Sequence, residues 1–128
     1  MIKLWIDDNS KPHSGYVWLR SVNEAKRYIE ACIDKQNKLT RKGKRGVVNG
    51  NTILDRGHYE LLKAVQIEVI DIDHDAGQYA VDGGDYIKLL DWMEEQRINI
   101  PVHIHSMNPV GVENMRRIIN RNGWEEVP

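Results

Sequence analysis

The chain has 128 residues, 41% of them hydrophobic and 29% charged, with a formal net charge of −1. That length fits one domain, residues 1–128, with a core of its own, and the single cysteine, Cys32, excludes an intrachain disulfide. No run of about 18 or more apolar residues occurs, which excludes a helical membrane span. The acidic pair Asp7-Asp8 comes too early for a secretory signal, so the expected location is the cytoplasm.

The run Ile2–Ile6 reads as a strand that stops at Asp7-Asp8-Asn9-Ser10. Pro12 and Gly15 mark a turn, and Tyr16–Arg20 is β-prone. Ser21 with Glu24 three residues on is a capping-box pattern. It opens a helix predicted from Val22 to about Lys35, with Val22, Ala25, Ile29 and Ile33 near helical spacing. A basic insertion follows at about 35–63. Its densest part, Lys38–Gly46, is expected as an exposed loop, and Tyr59–Ala64 as the start of a short helix.

Val65–Asp73 has a strand pattern, and 77–84 is expected as a loop. Tyr86–Gln96 carries an amphipathic helical stripe. Pro101–Ser106 is a short strand, and a helix follows from about Val112 to Arg121, capped by Gly123. With no phenylalanine present, Trp5 and Trp92 are expected in the core, Trp124 tucks back, and Cys32 is a structural thiol.

Alternating strands and helices predict an α/β fold around a mostly parallel four-stranded sheet, a three-layer sandwich with helices on both faces. Parallel crossovers gather the carboxyl ends of all strands on one edge, where open α/β sheets place their sites. Three predicted strands end there in polar clusters: Asp7-Asp8, Asp73-His74-Asp75, and His105-Ser106-Met107-Asn108. An acidic pair alone is commonly a turn or cap, Asp73-His74-Asp75 alone a solvated loop, and a lone histidine a hydrogen-bonded core residue. Their joint occurrence is the signal. Crowded carboxylates repel unless a cation or protons intervene. Hard oxygen donors suit Mg²⁺ or Mn²⁺, and added imidazoles also admit Zn²⁺ or Fe²⁺. A metal there polarises a phosphoryl oxygen or activates water, a histidine moves a proton near neutral pH, and Ser106 with the amides of the last helix binds phosphate oxygens.

The net charge conceals a partition. Between Lys35 and Lys63, eight basic residues against two acidic ones give +6, leaving −7 elsewhere. The insertion is therefore either a solvated loop or an arm, through Lys38, Arg41, Lys42, Lys44 and Arg45, that draws an anionic ligand toward the acidic edge.

The strings Leu4-Trp5-Ile6-Asp7-Asp8, Asp73-His74-Asp75 and His103–Gly111, with Asn114-Met115, resemble the cyclic-phosphate processing receiver domain family, a divergent branch of response-regulator receivers. The resemblance covers nearly the whole chain apart from Lys35–Lys63. It implies a receiver-like, flavodoxin-like fold, shortened here. In receivers the acid pair and the central aspartate bind Mg²⁺, the aspartate takes a phosphoryl group, and a hydroxyl residue contacts that group. By resemblance these are Asp7, Asp8, Asp73 and Ser106. The chain departs from receivers in lacking a fifth strand followed by the usual lysine, in reducing the first helix to Asn9–Gly15, and in adding His74, His103 and His105. These departures argue against ordinary two-component signalling.

The expected activity is thus a metal-dependent phosphoesterase acting on a cyclic phosphate of a nucleotide or RNA end. Asp7, Asp8 and Asp73, with Asp75 as a further ligand, hold the cation. Asp73, as ligand or nucleophile, and His74 or His105, as acid or base, carry the chemistry. Ser106, Asn108, Gly111 and Asn114 hold the phosphate. The alternatives are a nucleotide-binding module without turnover, and a degenerate receiver used for protein contacts.

Overall fold

A computed structural model describes residues 1–128. Strands β1 (Ile2–Ile6), β2 (Tyr16–Leu19), β5 (Ile67–Ile72) and β6 (Val102–Ile104) form a parallel sheet in the order β2-β1-β5-β6. Four helices accompany it, α1 (Val22–Gly43), α2 (Arg56–Val65), α3 (Ile87–Gln96) and α4 (Pro109–Asn122), and a separate hairpin pairs β3 (Lys44–Val48) with β4 (Asn51–Leu54). No helix is long and apolar enough to cross a membrane.

The α/β receiver-like fold with four parallel strands is present as expected. Leu4, Ile6, Leu19, Ile70, Ile72 and Val102 alternate onto one sheet face and join side chains from α1, α3 and α4 in one core. The steps from β2 to β5 and from β5 to β6 run in the same direction. Right-handed crossovers therefore place α1 and α3 on the same face. α4 packs beside α3 there. Only the step from β1 to β2 runs the other way, and it carries no helix. The layer on the second face is therefore not helical. Residues 7–15 cover part of it, with the Trp5 indole donating to the Ser10 carbonyl (2.8 Å).

Asn108 caps α4, its Oδ1 accepting from Gly111 N (3.1 Å), and Gly123 ends that helix at a left-handed φ of 68°. The tail then lies beside β6: Glu126 bridges Val102 in parallel, and Val127 N donates to Val102 O (2.7 Å). A one-residue vestige thus stands where no fifth strand was expected.

The insertion differs from its expected form. Lys38–Gly46 is not a loop, because α1 continues to Gly43 and β3 follows at once. The α2 helix packs along this extension. A Cβ on Gly43 would sit 2.4 Å from His58 Cβ, so only glycine lets α1 end against α2. The hairpin turns at Asn49 (φ 51°) and Gly50 (φ 79°), the Asn-Gly pair that a two-residue turn with positive φ requires.

Candidate functional site

Backbone pairing sets the site before any side chain acts. Asp73 N donates to Ile6 O and His105 N donates to Ile72 O, each at 2.9 Å, so the ends of β1, β5 and β6 lie side by side. On the second sheet face, Trp5, Asp71 and His103 share one register row. Asp7, Asp73 and His105 lie two residues further along, on that same face.

His105 is the centre of this edge. Its Nδ1 meets Asp71 Oδ1 at 2.5 Å, and its Nε2 meets Asp7 Oδ2 at 2.8 Å. The ring lies flat on Trp5, with centroids 4.1 Å apart and planes within 7°. An imidazole donates from both nitrogens only when doubly protonated, so two carboxylates favour the cation. Burial alone would lower the His105 pKa. The bonds to Asp71 and Asp7 outweigh it and hold the group above its ordinary value. Burial likewise opposes ionisation of Asp7. The amides of Asn9 and Ser10 (2.9 Å each) and His105 still hold its carboxyl below the usual range.

Asp7, Asp8 and Asp73 bring carboxylate oxygens within 4.8 Å of one another. Asp8 is pushed up by burial and by the neighbouring Asp7 and Asp73 charges. A cation would relieve that repulsion, so the donor set fits one. Asp7 is already engaged on both oxygens, whereas Asp73 Oδ2 has no protein partner. Gly77 makes room for Asp8: with φ 54°, a Cβ there would fall 2.4 Å from Asp8 Oδ2. Tyr86, fully buried, donates to Arg20 O (2.6 Å). Its phenol is pushed far up by burial and then by Asp8, Asp7 and Asp73.

An open cleft of about 300 Å³ runs along this edge, lined by Asp7, Ser10, Asp73, Asp75, His105, Ser106, Met107 and Asn108. Six of the expected site residues therefore share one cavity. Asp8 joins them through the carboxylate cluster. His74 stands behind, its Nδ1 bonded to Asp75 Oδ1 (2.8 Å) and its ring against Gly111, where a Cβ would fall 2.4 Å from His74 Cγ. The Gly111 amide is used by the Asn108 cap and Pro109 has no N–H, so the amino end of α4 offers few amides to a phosphate. Ser106 Oγ accepts from Asn108 N (3.1 Å) and keeps its own proton to donate. Asn114 does not line the cleft; its Oδ1 accepts from Arg117 (3.2 Å). His103 Nδ1 donates to the Val127 carbonyl (2.9 Å) instead of serving the site.

The basic insertion is not beside the cleft. α1 starts at the carboxyl edge, where Ser21 donates to Asp82, and by Gln36 it reaches the opposite edge, where Gln36 Nε2 donates to Val65 O. Lys38, Arg41, Lys42, Lys44 and Arg45 lie beyond that point. Helical rise puts Lys38 about 24 Å from the start of α1. Of the two readings of the insertion, an arm neighbouring the acidic edge is therefore corrected: parallel crossovers return each helix to the far end of the sheet.

Two side chains were missed in the sequence. Asp71 was passed over as part of a strand, although an acid two residues before Asp73 shares its face and needs a partner when buried. Trp5 was assigned to the core. It is buried, but on the second face, as the floor under His105.

No match was found among curated proteins or among solved structures. The family model described as "Cyclic-phosphate processing Receiver domain" matches residues 49–121. That stretch holds Asp73, His74, Asp75, His105, Ser106 and Asn108, and starts after Asp7 and Asp8. It also takes in 49–63, which the sequence reading had set aside as insertion. The match spans 73 of 128 residues, more than half, and with the receiver-like sheet it shows that the chain belongs to the cyclic-phosphate processing receiver domain family.

Proposed function

We propose that the cleft opens a cyclic phosphate on a nucleotide or RNA end with the help of a divalent cation. The observation that carries this reading is the one open cavity shared by carboxylates, an imidazole and a hydroxyl. Asp8 and Asp73, with Asp7 and Asp75 beside them, hold the cation, Mg²⁺ or Mn²⁺ by their hard oxygen donors, with Zn²⁺ or Fe²⁺ as the alternatives. When bound, the ion supplies charge to offset the phosphate oxygens and polarise phosphorus.

Opening the ring adds water across one P–O bond, so water loses a proton and the freed oxygen gains one. His105, held doubly protonated between Asp71 and Asp7, suits the donor of that second proton. Asp73 Oδ2, without a protein partner, suits the acceptor of the first; or it attacks phosphorus as a nucleophile, breaking the ring P–O bond, and water then cleaves the aspartyl phosphate to free Asp73 and the phosphomonoester. His74, tied to Asp75, orients that carboxylate. Ser106 Oγ–H and the Asn108 amide group bind phosphate oxygens. A second reading, capture without turnover, is favoured by the way Asp7 and Asp71 occupy both His105 nitrogens.

The test is incubation with 2′,3′-cyclic nucleotides and RNA ends, with and without Mn²⁺ or Mg²⁺. Metal-dependent ring opening, lowered at least about 100-fold in Asp73→Asn and in His105→Ala, is expected for an enzyme. Binding with no product supports capture instead.

A further inference from the structure

The far end of α1 carries charge that the molecule itself does not neutralise. Lys35, Lys38, Arg41 and Lys42 recur at helical spacing and fall on one exposed stripe. Lys44 follows on β3, with Arg56 and Lys63 on the adjoining α2. Arg45 pairs with Asp55 at 3.0 Å, whereas none of those seven makes an ion pair. The α2 helix buries no residue, and Tyr59 stands 54% exposed beside this patch. Like charges gathered on so small a surface repel one another in the free protein. Only an anionic partner with several charges in series relieves them together.

We propose that this basic end is a binding site for the sugar-phosphate backbone of a polynucleotide whose terminal phosphate lies in the cleft. The proposal rests on the reading that the cleft takes a cyclic phosphate, and narrows that ligand to an oligonucleotide end. From the start of α1 to Lys38 and Lys42 the helix rises about 24–30 Å. A strand with the ~3.4 Å phosphate spacing of a stacked helix covers that distance in about seven to nine nucleotides. A mononucleotide cannot touch both places. Exposed Tyr59 offers a ring to an unpaired base, which a lipid headgroup would not use.

The test compares fluorescent oligoribonucleotides of three, six and twelve residues, each ending in a 2′,3′-cyclic phosphate, by anisotropy between 50 and 200 mM salt. The twelve-residue strand is expected to bind at least tenfold tighter than the three-residue one. In the triple variant Lys38→Gln, Arg41→Gln, Lys42→Gln that gain disappears. The log–log salt slope then falls by about 2, since each single-strand phosphate contact contributes about 0.7. Turnover of a cyclic mononucleotide by the variant stays unchanged. Equal affinity for all three lengths overturns the proposal, as does an unchanged salt slope, or tighter binding to phosphatidylserine vesicles than to the long strand. Length-dependent binding through these residues without any ring opening supports the backbone site while defeating the catalytic reading.

Discussion

His105 is enclosed by Asp7, Asp71 and Trp5, whereas Lys38, Arg41 and Lys42 project from the far end of α1 with no ion-pair partner. Both regions are charged, and they stand at opposite ends of one sheet. At the carboxyl edge Asp7 and Asp71 are buried with the His105 ring between them, and hydrogen bonds hold all three in place. On the arm Lys38, Arg41 and Lys42 stay in water, and no ion pair fixes them. The contrast separates two uses of charge: enclosed groups set up chemistry at fixed geometry, and solvated groups attract a ligand from a distance.

The contrast can be broken most sharply at Asp71. Removing Asp71 leaves the buried His105 Nδ1–H without its acceptor while Asp7 still holds Nε2, so Asp71→Ala is expected to cost about 3 kcal/mol in urea unfolding. A loss below about 0.5 kcal/mol would mean that His105 is not enclosed as described. Next, Gly111→Ala forces a methyl into the His74 ring and is expected to cost about 2 kcal/mol by the same measurement. An unchanged midpoint would show that His74 is free to move.

A smaller effect depends on pH. His105 has a raised folded pKa, so its contribution is complete below its unfolded value and disappears as pH rises through the folded one. Asp7 has a lowered folded pKa, so its contribution is complete above its unfolded value and disappears as pH falls through the folded one. In metal-free buffer, the stability difference between wild type and His105→Ala should therefore be largest in mildly acidic solution and fall by about 1–2 kcal/mol toward alkaline pH. A difference flat across pH 5–9 would remove the imidazolium from the account. Smallest of all, the triple glutamine variant of Lys38, Arg41 and Lys42 should move stability by less than about 0.5 kcal/mol. A larger shift would make the arm a structural element.

The parallel order of the sheet was legible in the alternation of strand and helix patterns, and Ser21, Asn108 and Gly123 act at the ends of α1 and α4. The clustering of Asp7, Asp73 and His105 followed from parallel topology alone. The hairpin went unread: its pattern, Val47-Val48-Asn49-Gly50-Asn51-Thr52-Ile53, follows directly on Lys38–Gly46, where the density of lysine and arginine suggested a loop. The distance between arm and cleft was not legible. A charge count has no direction, and only the length of α1 shows that the two lie at opposite ends. Asp71 was hidden for a related reason, since its role depends on a histidine 34 residues away on the neighbouring strand.

The most direct measurement is phosphorus NMR of a 2′,3′-cyclic nucleotide mixed with the protein and Mg²⁺. The account predicts that the cyclic resonance gives way to a phosphomonoester signal, that chelation stops the change, and that Asp73→Asn abolishes it. A cyclic resonance that persists unchanged, with the metal present and the protein folded, would contradict it.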